Sequence, residues 1–158
     1  MRVAFYAPLK PPKHPVPSGD RRMARLLLAA IRRSGNEAFV ASTLRAFDGT
    51  GDADRQYRIR RRGEALARRF IERHKENPPD IWFTYHLYHK APDWIGPLVC
   101  DAFAIPYILA EASIAPKQTG GPWDAGLEAV TAAVRRASHI IVLNPDDREC
   151  IEPVMAPG

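Results

Sequence analysis

Apolar and polar positions along this chain alternate between short apolar runs and longer stripes of helical spacing. Residues 2–7 are an apolar run stopped by Pro8, the mark of a strand buried on both faces. Prolines at 8, 11, 12, 15 and 17 then exclude helix and central strand. Ser18-Gly19-Asp20 opens a helix in which Met23, Leu26, Leu27, Ala30 and Ile31 recur at helical spacing until Gly35. Residues 37–42 read as a second strand and 43–54 as a loop. A long basic helix over 53–75 carries Ile59, Leu66, Phe70 and Ile71 on one stripe and ends at Pro78-Pro79. Residues 80–85 predict a third strand, and Pro92 precedes a helix marked by Trp94, Leu98, Val99 and Phe103. Residues 105–110 predict a fourth strand, 113–122 a Pro/Gly loop and 123–137 a helix with Leu127, Val130, Ala133 and Val134 inward. Residues 139–143 complete the set as a fifth strand, and Pro145 starts a short last helix.

Strands separated by helices require right-handed crossovers. The expected fold is therefore α/β: a Rossmann-like three-layer α/β/α sandwich on a mainly parallel sheet of about five strands, in one domain over 1–158. In such sheets ligands bind in the loops that follow the carboxyl ends of the strands. That rule selects Lys10, Lys13, His14, Gly19, Asp20, Arg21 and Arg22 after the first strand. It selects Tyr85, His86, Tyr88, His89 and Lys90 after the third, Glu111, Ser113 and Lys117 after the fourth, and Asn144 after the fifth.

Charge sharpens this picture. The net charge is +5, but residues 1–76 hold 18 Lys/Arg against 8 Asp/Glu, and residues 77–158 hold 5 against 10. Two readings stand for the basic half: an anionic partner, or arginines on solvated helices. The same pair applies to the 53–75 helix, which suits an anionic membrane surface or the outer cover of a sheet. No nucleic-acid motif or interleaved aromatic platform accompanies its arginines, so no nucleic acid is expected. Two cysteines outside any C-x-x-C form neither a disulfide framework nor a zinc site, and point to a reducing cytosol. No apolar run reaches membrane-spanning length, and the N-terminal run is too short for a signal peptide. The expected location is cytoplasmic, with a peripheral membrane contact as an extension of the basic-helix reading.

The chemistry is narrowed mostly by missing patterns. There is no G-x-G-x-x-G and no G-x-x-x-x-G-K-[ST], which disfavours dinucleotide binding and P-loop chemistry. Gly19 at a helix start lets backbone N–H groups approach an anion; Ser18-Gly19-Asp20 also reads as a plain helix cap. His86 and His89 form H-x-x-H without the H-E-x-x-H of a zinc helix. His86 suits a sugar hydroxyl or acid/base chemistry, or else a satisfied structural role. Tyr85 or Tyr88 can stack on a sugar. Glu111 can orient a substrate hydroxyl or cap a turn. Ser113 lacks a G-x-S-x-G elbow, so a hydrolase nucleophile is disfavoured.

Taken together, these segments resemble the N-terminal domain of GT-B fold glycosyltransferases of the family-4 (group 1) type. The resemblance rests on the first strand with its Pro-rich loop and Gly19, on Ser34-Gly35-Asn36-Glu37 before the second strand, and on Pro79-Asp80-Ile81 before the third. Ala137-Ser138-His139-Ile140-Ile141-Val142-Leu143-Asn144 resembles the fifth-strand segment. The resemblance implies the acceptor-binding half of a retaining hexosyltransferase-type enzyme. Its nucleotide-sugar donor is held mainly by a second domain beyond Pro157-Gly158, and this half alone is inactive. The implied partners are that donor and a sugar, lipid or small-molecule acceptor, with no metal and no other cofactor. Gly19 matches the family's first-loop glycine near the donor phosphates. His86 stands where acceptor-contacting residues are common. The turn after the fourth strand carries Glu111-Ala112-Ser113 where the family has a histidine. Lys10, Gly19, Asp20, Arg21, Arg22, Tyr85, His86, Glu111 and Ser113 are the binding candidates, with Arg21, Arg22 and Lys10 favouring an anionic acceptor or the donor diphosphate. No catalytic residue is assigned. Glu64 and Glu72 reproduce the family's eight-residue glutamate spacing but lie on the basic helix, and read as surface charges. The alternative is a stand-alone Rossmann- or flavodoxin-like binding module without catalysis. A receiver module is disfavoured because Pro8 and Tyr85-His86 replace its acidic strand ends.

Overall fold

A computed structural model describes residues 1–155; residues 156–158 lie outside the described part, and with them the expected start of an interdomain connection. Five strands form one sheet in which every pairing is parallel: β1 (Arg2–Tyr6), β2 (Glu37–Val40), β3 (Ile81–Leu87), β4 (Tyr107–Ala112) and β5 (His139–Ile141), in the order β2-β1-β3-β4-β5. The helices between them are α1 (Gly19–Arg33), α2 (Ala53–His74), α3 (Gly96–Phe103) and α4 (Asp124–Arg136), and a short α5 (Arg148–Ile151) follows β5. The fold is thus the Rossmann-like α/β sandwich that the alternation of elements predicts.

Strand pleating sorts the core into two layers. Val3, Phe5 and Ala7 of the first strand segment, with Phe83 and Tyr85 of β3, pack under Ala24 and Leu28 of α1. Ala4, Tyr6, Trp82, Tyr107 and Leu109 face the other way, against Ala67 and Phe70 of α2, Val99 and Cys100 of α3, and Leu127, Val130 and Val134 of α4. Among the described residues only α1 contributes helical residues to the first layer, and Ile141, Val142 and Leu143 at the β5 edge are exposed.

Local chemistry sets the element ends. The Ser18 hydroxyl accepts from the Arg21 N–H to cap α1, and Asp52 does the same for the Arg55 N–H on α2. Gly35 takes a left-handed backbone (φ 82°) just past α1. Two buried carboxylates organise the loops on the α2–α4 side. Asp48 accepts from Thr50 N and Oγ1, Gly51 N, Asp52 N and Gln56 Nε2, folding the 48–52 turn onto the start of α2. Asp93 accepts from Trp82, Thr84 and Tyr107 side chains and from the first N–H groups of α3.

Several predicted bounds shift. The fifth strand stops at Ile141 rather than 143, and the second at Val40 rather than 42. The 113–122 loop contains a 3₁₀ turn, Pro116–Gln118. The important differences are in β3 and β4, which run on to Leu87 and Ala112 instead of ending at 85 and 110. His86 and Glu111 therefore lie inside strands and not in the loops after them.

Candidate functional site

The sheet order places a topological switch between β1 and β3, since α1 returns from β1 to β2 on one side while later connections run the other way. Ligand crevices in open parallel sheets form at such a point, outside the carboxyl ends of the strands. Here that end is built by two unusual residues. His86 and Glu111 both adopt left-handed backbones with φ 60°, a conformation costly for a residue with a Cβ. They sit at one level of adjacent strands, because Tyr85 pairs with Ala110 and Leu87 with Ala112. The paired kinks also reverse the pleat. Tyr85 and Ala110 face the α1 layer, whereas Leu87 and Ala112, two residues on, face the opposite layer.

The kinks bring His86 to the N-terminus of α1. Its Nδ1 lies 3.1 Å from Asp20 Oδ1 and 3.7 Å from Glu111 Oε1. Neither contact closes a hydrogen bond on this buried nitrogen. Neither carboxylate has a lysine or arginine within ion-pair distance among the described residues. Tyr85 is buried beneath them. Burial first, then the neighbouring carboxylates of Glu111 and Asp20, push its hydroxyl well above the ordinary tyrosine range, so it stays protonated. Tyr88 is raised too, by burial and Asp20, with Arg45 pulling the other way. Its ring is 5.4 Å from His86 and 5.3 Å from His89, and His89 lies 6.0 Å from Trp123. A row of aromatic rings thus leads away from the cluster. The His89 ring nitrogens are buried without partners, and burial, with Lys90 and Lys117, lowers its pKa, which keeps the ring neutral.

The sequence-selected candidates divide at this point. Asp20, Tyr85, His86 and Glu111 converge. Gly19 adjoins them on α1, in a groove of about 490 Å³ lined also by Pro17, Ser18, Arg21, Arg22 and Arg25. A Cβ at Gly19 would meet nothing within 4 Å, so its backbone is open to a ligand. Arg21 is otherwise engaged: its Nη1 donates to the His14 and Pro15 carbonyls at 2.9 and 3.2 Å. Arg25 and Arg45 likewise donate to the Pro12 and Leu9 carbonyls, so three guanidiniums hold the Pro-rich loop. Arg22 is exposed, and Lys10 is half-buried. Neither forms an ion pair to the cluster, and Ser113 contributes its backbone N–H to the Leu87 carbonyl.

Other features lie elsewhere. Glu64 pairs with Arg60 and Arg61, and Glu72 with Lys75, as surface charges on α2. Arg58, Arg62, Arg68, Arg69 and Arg73 of that helix are exposed. A groove of about 390 Å³ between α2, α3 and α4 is largely apolar, walled by the Arg60–Glu64 and Arg136–Asp101 ion pairs around Trp94 and Leu98. It gathers no group suited to recognising a hydroxylated ligand beyond these self-paired charges. Sequence reasoning passed over Arg45 and the carboxylates Asp48 and Asp93. The Asp48-Gly49-Thr50-Gly51-Asp52 string was the available signal for Asp48, as an Asx turn ahead of a helix. An aspartate three residues before Gly96 was the signal for Asp93.

Among the described residues no three His, Cys, Asp or Glu side chains are grouped to hold a metal ion, and no helix is long and apolar enough to cross a membrane. Compared with known proteins, the chain matches no family model and no curated protein.

Proposed function

We propose that this chain is the acceptor-binding domain of a retaining glycosyltransferase that transfers a sugar from a nucleotide-sugar. The observation that carries the reading is the convergence of Asp20, His86 and Glu111 at the switch point, beside an open helix N-terminus. Carboxylates and an imidazole are the groups that take up sugar hydroxyls, since each hydroxyl donates one hydrogen bond and accepts others. Tyr88 beside His86 offers an aromatic face. The backbone at Gly19 would meet the donor's diphosphate as a second domain closes on this one, with the positive end of the α1 dipole behind it.

Gly19→Ala tests this. The substituted position is sterically open and at the first turn of a helix, where alanine is the better former. The thermal midpoint is expected to hold or rise. Turnover of radiolabelled nucleotide-sugar by the natural polypeptide carrying this chain is expected to fall by roughly tenfold, the equivalent of one lost phosphate contact. Undiminished turnover in the variant, or none in the wild type with any nucleotide-sugar, removes the reading.

A further inference from the structure

Independently of that reading, and away from the switch point, we propose a second binding site in the groove between α2 and the segment that runs on from β2. Its ligand is a phosphate monoester, held through its phosphoryl group by Arg45 and Arg62 with the hydroxyls of Ser42 and Thr43. The groove holds about 470 Å³ and is lined by these four residues, with Val40 and Leu66 among its apolar walls. It opens beside the edge strand of the sheet, and no acidic side chain lines it. Its volume lies in the range of small-molecule sites, which leaves room for whatever the phosphoryl group is attached to.

The two guanidiniums are not neutralised within the fold. Elsewhere on α2, Arg55 pairs with Asp48, Arg60 and Arg61 with Glu64, and Lys75 with Glu72. Arg62 is exposed and has no acidic partner within ion-pair distance among the described residues. Arg45 is held from one side. Its Nε donates to the Leu9 carbonyl at 3.1 Å, and its guanidinium lies 4.6 Å over the Phe47 ring. These contacts fix the group and leave its Nη atoms without a partner among the described residues, so a ligand that takes them loses little freedom in ordering the side chain. Ser42 Oγ accepts from the Leu44 N–H at 3.1 Å, and its own O–H remains to donate. A guanidinium fork matches two oxygens of a phosphate or a carboxylate at once. The hydroxyl donors beside it call for a third oxygen, which a phosphate monoester has and a carboxylate lacks. The monoester also carries about two negative charges at neutral pH, against two guanidiniums.

The test is a titration of the ¹⁵N-labelled chain at low salt with glycerol 3-phosphate, glycerate and glycerol, followed at the amides of Ser42, Thr43, Arg45 and Arg62. The phosphate is expected to shift these amides, with glycerate about fivefold weaker and glycerol silent. Arg62→Ala is expected to weaken phosphate binding roughly tenfold, and Arg62→Lys by about threefold, since the charge stays and the fork is lost. Arg62 is exposed on a helix, so alanine there keeps the fold. Arg68→Ala removes the same charge from an exposed position of α2 outside the groove, and is expected to change affinity by less than about twofold. Phosphatidate in phosphatidylcholine vesicles presents the same monoester on a membrane. Cosedimentation that needs Arg62 and not Arg68 assigns the phosphoryl group to a lipid; cosedimentation no better than with phosphatidylcholine alone, alongside the glycerol 3-phosphate shifts, assigns it to a soluble ester. Glycerate binding as tightly as the phosphate overturns the choice of ligand. Equal losses in Arg62→Ala and Arg68→Ala overturn the site and leave a diffuse basic face. No shift at these amides with glycerol 3-phosphate overturns it as well.

Discussion

Replacing Gly126 with alanine is expected to destabilise the chain by about 3 kcal/mol or more, since the added atom overlaps backbone that cannot swing aside. A Cβ built at Gly126 runs into the carbonyl oxygen of His89, and lies 3.1 Å from its carbonyl carbon. Gly126 is in the first turn of α4, and this contact seats the helix on the 88–91 turn that follows β3. Relief requires α4 to lift, which would disturb Leu127 and Val130 in the core. In an open helix the same change stabilises by up to ~1 kcal/mol, because alanine is the better helix former. The sign therefore separates packing from propensity. Thermal melts followed by circular dichroism should show a midpoint lowered by roughly 6–12 °C for a domain of this size. A midpoint equal to or above that of the wild type would show that α4 does not rest on this turn.

Asp93→Ala is the second large expected loss, about 4 kcal/mol, since removing one member of a buried polar network leaves its partners unsatisfied. The Asp93 carboxylate accepts from Thr84 Oγ1 at 2.6 Å, Tyr107 Oη at 3.0 Å and Trp82 Nε1 at 3.2 Å. It also accepts from the Ile95 and Gly96 N–H groups, both at 2.8 Å. Trp82, Thr84 and Tyr107 are fully buried on β3 and β4, so water cannot replace the lost acceptor without opening the sheet–helix layer. Urea unfolding should show the loss at the midpoint; a change under ~1 kcal/mol would mean that the donors find other partners.

The two buried aspartates should also differ in pH dependence. Burial pushes the Asp93 carboxyl above its usual range, against the pull of its donors. Its contribution to stability is therefore full below the unfolded-state value and declines as pH rises through the folded value. The cost of Asp93→Asn should then be greatest in acid. Asp48 is the reverse: burial raises it, but hydrogen bonds from Thr50, Gln56 and Gly51 outweigh burial and hold it below the ordinary carboxylate range. Its contribution is present above the unfolded value and lost as pH falls through the folded value, so Asp48→Asn should cost most near neutrality. Parallel pH profiles for the two variants would contradict this assignment.

Much of the architecture was legible in the chain. The run at 2–7, the stripe through Leu27 and Ile31, and the alternation of such runs with helical spacing require only short-range periodicity. Periodicity is set by the pleat and the helical turn, whatever the tertiary context. Strand ends were read less well. The strand patterns of the sequence end at Tyr85 and Ala110, and a polar residue, His86 or Glu111, follows each. Pairing resumes at Leu87 and Ala112 because each intervening polar residue turns left-handed in step with its neighbour. No local pattern announces two left-handed residues that meet at one level of adjacent strands.

For the site, the strand-end rule selected Asp20, His86 and Glu111, together with Arg21, which the fold bonds to loop carbonyls, and with Lys10 and Arg22, which form no ion pair to the cluster. Residue type alone does not tell a guanidinium facing a ligand from one bonded to a loop carbonyl. By itself the sequence determined the order of elements and the parallel sheet, because hydrophobic burial and chain connectivity decide these. Only the tertiary structure decided which of the gathered charges meet. That depends on strand register, on two paired left-handed residues, and on which backbone carbonyls the Pro-rich loop leaves in need of a donor.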